Sequence, residues 1–252
     1  MKNSFPYLDV KFPIAFAHRG GALDAPENSM AAFQAAVDIG YRYLETDVHL
    51  TLDGRVIAFH DDVLGRVTDM EGRVCETPYS QIKDALIDGR SEIPLLEDLL
   101  ASFPCARFNI DPKDDLVAEP LAKLIKETAS ADRICVASFS DKRTTLVSRL
   151  VGKDLCTGVG PSGVARLRIG NFTSSTSSIR GQCVQVPVTA KGIPLITRIF
   201  VDRVHSIGKV IHAWTINEAE EMHRLLDLGV DGIMTDRPKV LKEVLIERNE
   251  WA

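Results

Sequence analysis

Two histidines, an arginine and two carboxylates fall within one stretch of this chain, Ala15 to Asp61, and their types define a chemistry before any fold is considered. His18 and His60 can each take or give a proton near neutrality, because imidazole titrates at about 6.5. Arg19, beside the first histidine, is a permanent cation suited to an anionic group. Glu45 and Asp47 are spaced i, i+2. On a strand that spacing puts both side chains on one face, where two carboxylates repel unless a positive charge lies between them. A divalent cation is the economical answer. Paired proton-transfer groups around a cation and a guanidinium suit cleavage of an anionic ester.

Elements with clear signals must position these groups. Ile14–Ala17 is a short apolar run that ends at His18, and Gly20-Gly21 turns the chain. Asn28 or Ser29 can cap a helix over Met30–Ile39, closed by Gly40. Tyr41–Val48 reads as the second strand and carries Glu45 and Asp47. Asp53-Gly54 turns into a return strand, Arg55–Phe59, that ends at His60-Asp61. Residues 62–90 carry no long periodic run, so an insertion is expected over about 50–92.

From Pro94 the chain alternates. Helices are predicted over 94–103, 116–129, 141–150, 194–207, 218–228 and 238–247. Strands are predicted over 106–110, 133–137, 154–158, 183–186, 210–214 and 232–234, and Gly170–Gly181, rich in Ser and Thr, as a loop. Alternating strand and helix implies a parallel sheet with helical crossovers. About eight such strands at this length suggest an α/β fold of the (β/α)8 barrel type, one domain over 1–252 with its insertion after the second strand. A doubly wound open sheet is the alternative, but no Gly-rich dinucleotide fingerprint follows a strand.

His18, Glu45, Asp47, His60, Asp111, Lys113, Ser138, Trp214 and Asp236 all lie at or just past predicted strand ends. In a barrel those ends converge on one face, where active sites are built. Singly, each has an ordinary reading. Trp214 could be core, although Thr215 and Asn217 argue for a wet rim, and Asp236 could simply cap the last helix. His49, His205, His212 and His223 show no partner and read as structural or exposed.

Composition excludes several classes. The 252 residues carry a net charge of −5, which disfavours a nucleic-acid partner. Cys75, Cys105, Cys135, Cys156 and Cys183 are odd in number with no C-x-x-C spacing, as expected of reduced, mostly buried thiols. The first residues lack an apolar core of signal-peptide length, and no window is apolar enough to span a membrane. A cytoplasmic protein without stable membrane insertion is expected; a homo-oligomer is compatible with this composition.

The run His18-Arg19-Gly20, Pro26-Glu27-Asn28-Ser29, Glu45-x-Asp47, Asp53-Gly54 and His60-Asp61 resembles the signature of the glycerophosphodiester phosphodiesterase family. Asn109-Ile110-Asp111-Pro112-Lys113, Ser138-Phe139-Ser140, Trp214-Thr215-Ile216-Asn217 and Val230 through Pro238 agree in order. The resemblance implies a TIM barrel, a Ca²⁺ or Mg²⁺ ion, and hydrolysis of glycerophosphodiesters to glycerol 3-phosphate and an alcohol. It makes His18 and His60 the acid/base pair, Glu45 and Asp47 metal ligands, and Arg19 a phosphate contact, with Lys113 and Trp214 on the substrate side. Asp111 stands where the family carries a glutamate as third ligand, one methylene longer, which bears on metal preference. The stretch 164–180 is least like the family and is expected as a substrate-side loop. A lysophospholipase D-like activity and a catalytically silent phosphate-ester-binding barrel are the alternatives.

Overall fold

The computed structural model describes residues 5–11, 13–169, 179–190 and 192–251. Its barrel strands are β1 (Ile14–His18), β2 (Tyr43–Leu50), β3 (Arg107–Pro112), β4 (Ile134–Val136), β5 (Cys156–Thr157), β6 (Cys183–Pro187), β7 (Val210–Trp214) and β8 (Gly232–Thr235). They pair in the order β5-β4-β3-β2-β1-β8-β7-β6, parallel at every step. One bridge, Gly158 with Cys183, joins the two ends of that order. Two hydrogen bonds reinforce it, Val159 N–H to Cys183 O and Gln182 N–H to Thr157 O, both 2.8 Å. The result is a nearly closed (β/α)8 barrel.

Between and after the strands run α1 (Met30–Asp38), α2 (Leu96–Ser102), α3 (Ala118–Glu127), α4 (Asp141–Val151), α5 (Pro161–Ile169), α6 (Arg198–Ser206), α7 (Ala219–Asp227) and α8 (Pro238–Glu247). Ser29, not Asn28, caps α1: its Oγ accepts the Ala32 N–H at 3.1 Å. Thr197 caps α6, so that helix starts later than Pro194. Ile193–Pro194 pairs instead with Thr189–Ala190 in a small hairpin. Helix α5 went unpredicted because its apolar residues form no strong stripe and Gly163 interrupts them. Residues 170–178 of the expected Gly170–Gly181 loop lie outside the described residues.

Strands are sheltered on both sides, which is why they read as apolar runs rather than alternations. Outside the barrel, helices pack on the sheet in two apolar clusters built around residues such as Phe33, Phe108 and Leu121, and Phe200, Leu225 and Leu241. Inside, towards the N-terminal ends of the strands, Phe16, Tyr43, Cys135, Cys156, Cys183 and Met234 fill the bore above Tyr7 and Leu8. The segment between β2 and α2 opens with Val56–Ala58, antiparallel to β2, and has its own small core around Ile57, Phe59, Leu64 and Ile87. That core holds His60 at the barrel's C-terminal rim. Among the described residues no helix is long and apolar enough to cross a membrane.

Candidate active site

The turn after β1 is bent to serve the site. Arg19 has φ 50, an uncommon conformation for a residue with a side chain. Its backbone N–H thereby reaches Glu45 Oε2 at 3.1 Å, one strand away. Gly20 follows at φ 81, where a Cβ would meet the Ala32 Cβ at 2.7 Å and its backbone at 2.9 Å, so only glycine lets α1 press this close. Asn28, also at positive φ, accepts from the Thr46 hydroxyl at 2.8 Å and donates to Asp47 Oδ2 at 3.4 Å.

Asp47 and Asp111 are directly opposed in the β2–β3 register. Lys113 Nζ sits between them, 3.2 Å from Asp47 and 3.4 Å from Asp111. Arg19 Nε lies 3.1 Å from the other Asp47 oxygen. Burial alone would raise the Asp47 pKa, but Lys113 and Arg19 outweigh it and hold the carboxylate low. Glu45 and Asp111 are less well compensated. Burial pushes Glu45 up to about 7 against the pull of His18, and Asp111 up to about 6 against that of Lys113. Asp111 Oδ1 is buried with no hydrogen-bond partner. Two under-compensated carboxylates, one with an orphaned oxygen, form a hard donor set that fits Ca²⁺ or Mg²⁺. Among the described residues the ligand atoms of this trio do not all approach within 4.8 Å of one another.

Each histidine is held through Nδ1 by a carboxylate. His18 Nδ1 meets Asp236 Oδ1 at 2.6 Å, and its Nε2 lies 3.7 Å from Glu45. Asn217 fixes Asp236 twice, donating to its carboxylate at 3.0 Å and accepting its N–H at 2.9 Å. His60 Nδ1 meets Asp61 Oδ1 at 2.5 Å, and Arg66 clamps Asp61 to Glu27. Behind His60, His49 bonds the His60 carbonyl at 3.0 Å and Asp114 at 2.8 Å. These surroundings drive the two rings apart. Burial opposes charge on His18, but Glu45 and Asp236 overcome it and raise its pKa. Burial lowers that of His60, and Asp47 and Asp61 do not fully offset it.

The eight residues given a site role in the sequence analysis, His18, Arg19, Glu45, Asp47, His60, Asp111, Lys113 and Trp214, line one cleft of about 640 Å³, together with Ser138; Asp236 stands behind His18 and does not line it. Its opposite wall is apolar, with Val159, Val164, Ile169, Val186 and Leu195. Trp214 meets Phe139 edge-on at 5.6 Å at the mouth, where Phe139 is 68% exposed. Of the stretch 164–180, expected as a substrate-side loop, Val164, Ala165, Arg168 and Ile169 line the cleft from helix α5. Sequence reasoning left three supports unassigned. Asp236 was ambiguous with a helix cap, Asn28 with a cap for α1, and His49, read as partnerless, has two partners that no local spacing reveals.

Residues 18–240 match the sequence model of the glycerophosphoryl diester phosphodiesterase family. The chain is 38% identical over 244 residues to probable glycerophosphodiester phosphodiesterase 2 of Mycobacterium tuberculosis, covering 94% of this chain and 92% of that protein. A solved structure from Silicibacter pomeroyi shares the fold at a TM-score of 0.82 and 23% identity, covering 99% of this chain and all of the other, 100%. An Oleispira antarctica phosphodiesterase, solved in complex with the product sn-glycerol-3-phosphate, does so at 0.78 and 21%, covering 93% and 97%. With a family match across most of its length and a close relative over nearly all of it, the chain belongs to the glycerophosphoryl diester phosphodiesterase family and is a phosphoric diester hydrolase acting on glycerophosphodiesters.

Proposed function

We propose that the cleft residues divide this hydrolysis among themselves as follows. Glu45, Asp47 and Asp111 would hold a divalent cation, Ca²⁺ or Mg²⁺, whose positive charge would stabilise the negative charge that develops on the phosphoryl group. Arg19 and Lys113 meet the phosphate and counter the charge that grows on its oxygens. His60 takes the proton of the attacking hydroxyl, from water or from the substrate's own glycerol, as the new P–O bond forms. His18 gives its proton to the leaving alkoxide as the old P–O bond breaks. The observation that carries this reading is the matched anchoring of both rings: Asp236 and Asp61 occupy the two Nδ1 atoms and leave both Nε2 atoms for the cleft. His18 sits between two carboxylates and His60 contacts one, which favours His18 as the proton donor.

Glycerol 3-phosphate as product is supported by the Oleispira neighbour that holds it. The apolar wall opposite the catalytic groups favours a second substrate type, a lysolipid whose chain would lie along Val164, Val186 and Leu195. Comparing kcat/KM for glycerophosphocholine and lysophosphatidylcholine tests this, with Val164→Asp, a charge set in the wall itself, as the probe. If the wall holds a chain, the variant loses activity on the lysolipid alone. Equal losses on both substrates refute it.

A further inference from the structure

Three of the five cysteines gather inside the barrel, far from one another in sequence. Cys135 and Cys156 are register partners on β4 and β5, and Cys183 opens β6 across the seam where the sheet closes. All three are 0% exposed. Cys183 Sγ lies 3.6 Å from Cys156 Sγ and 4.0 Å from Cys135 Sγ, and the three sulfurs all fall within 4.8 Å of one another. With Zn–S bonds of about 2.3 Å, thiolates of a tetrahedral zinc stand about 3.8 Å apart. No disulfide joins them.

Two neighbouring polar groups are left without partners. The Tyr7 hydroxyl, on a residue 1% exposed and packed in one cluster with the three cysteines, has no hydrogen bond. His212 Nε2, also fully buried, has none either, and its ring lies 4.9 Å from that of Phe16, which packs in the same cluster. Gln185 occupies the other His212 nitrogen at 3.3 Å. Buried donors are rarely left unpaired. A zinc–trithiolate carries one negative charge and would give both groups something to meet.

We propose that Cys135, Cys156 and Cys183 form a sealed site for a thiophilic d¹⁰ cation of the Zn²⁺ type, at the N-terminal end of the barrel and apart from the hydrolytic cleft. The donor set is soft, whereas that of the cleft is hard, so the two sites select different ions. On binding, each thiol gives its proton to solvent and three S–Zn bonds form, with no change of oxidation state. The ion ties β5 to β6 at the seam that one bridge and its two backbone hydrogen bonds close. It acts as a structural staple.

The test is metal content. Protein produced in zinc-supplemented medium is dialysed against EDTA, which strips the open cleft and cannot reach a sealed site. One zinc per chain should remain. Cys156→Ala and Cys183→Ala should each retain none, while Cys75→Ala and Cys105→Ala retain one. The wild type should also melt at a higher temperature with zinc than when refolded without it. Should the cluster variants fail to fold, wild-type protein refolded with Cd²⁺ alone gives the same answer. A thiolate-to-cadmium charge-transfer band should saturate at one equivalent and vanish after alkylation of the thiols before refolding. Wild-type protein that retains no zinc and shows no such band overturns the proposal. So does zinc that survives Cys156→Ala and Cys183→Ala, or a disulfide among the three in the purified protein.

Discussion

Asp236 offers the sharpest handle on the proposed acid. Its carboxylate grips His18 Nδ1 at 2.6 Å and is itself fixed by Asn217, with both partners of the pair largely sheltered from solvent, at 16% and 18% exposure. Asp236→Asn preserves shape and removes the charge. A hydrogen bond to a charged group contributes about 1.5–3 kcal/mol, so the balance between charged and neutral His18 moves about 10- to 100-fold toward neutral. The sign follows from the contact: Asp236 favours the protonated ring, so its loss lowers the His18 pKa. An acid must carry its proton, and the variant therefore loses rate on the alkaline side, by about 10- to 100-fold, while the acidic limb set by His60 stays in place. The assay is glycerol 3-phosphate release across pH at saturating cation, read as kcat/KM. Movement of the acidic limb instead would give His18 the base's role. Superimposable profiles would refute the idea that this contact tunes His18.

Other outcomes follow from the same geometry. His18→Ala and His60→Ala should each lower kcat about a hundredfold or more, the usual range for lost acid–base catalysis; near-normal turnover in either removes it from the pair. Glu45→Gln should raise the cation concentration needed for half-maximal rate at least about tenfold, and an unchanged cation titration would count against it as a ligand. His49→Leu removes the strut behind His60 and leaves the His60 carbonyl and Asp114 short of a donor. It should cost about 1–3 kcal/mol of stability together with a fall in kcat; a variant with wild-type melting and turnover would show that the strut is idle.

The barrel was legible because its strands are short apolar runs that end on polar residues, and because Gly and Pro punctuate the helices between them. The rim was legible for the same reason: Glu45-x-Asp47 and the two histidines announce themselves by spacing on predicted strands. What escaped the sequence depends on contacts across the fold. The partner of His18 lies 218 residues away in Asp236, and Asp114 is 65 residues from His49. No periodicity encodes those distances. Helix α5 escaped because tertiary packing, through Gly163 against Val159 and Ile179, stabilises a segment of weak intrinsic pattern. The cysteines mislead in the opposite way. Their separations of 21 and 27 residues carry no ligand signature, yet neighbouring strands bring the sulfurs within bonding range of one ion.

The most direct test of the catalytic account is product release from glycerophosphocholine by wild-type protein, with Ca²⁺, with Mg²⁺ and with EDTA, alongside His18→Ala and His60→Ala. Glycerol 3-phosphate and choline should appear in equal amounts, with release abolished by EDTA and lowered about a hundredfold or more in either variant. Choline phosphate and glycerol as the products, or release that persists in EDTA and in both variants, would contradict it.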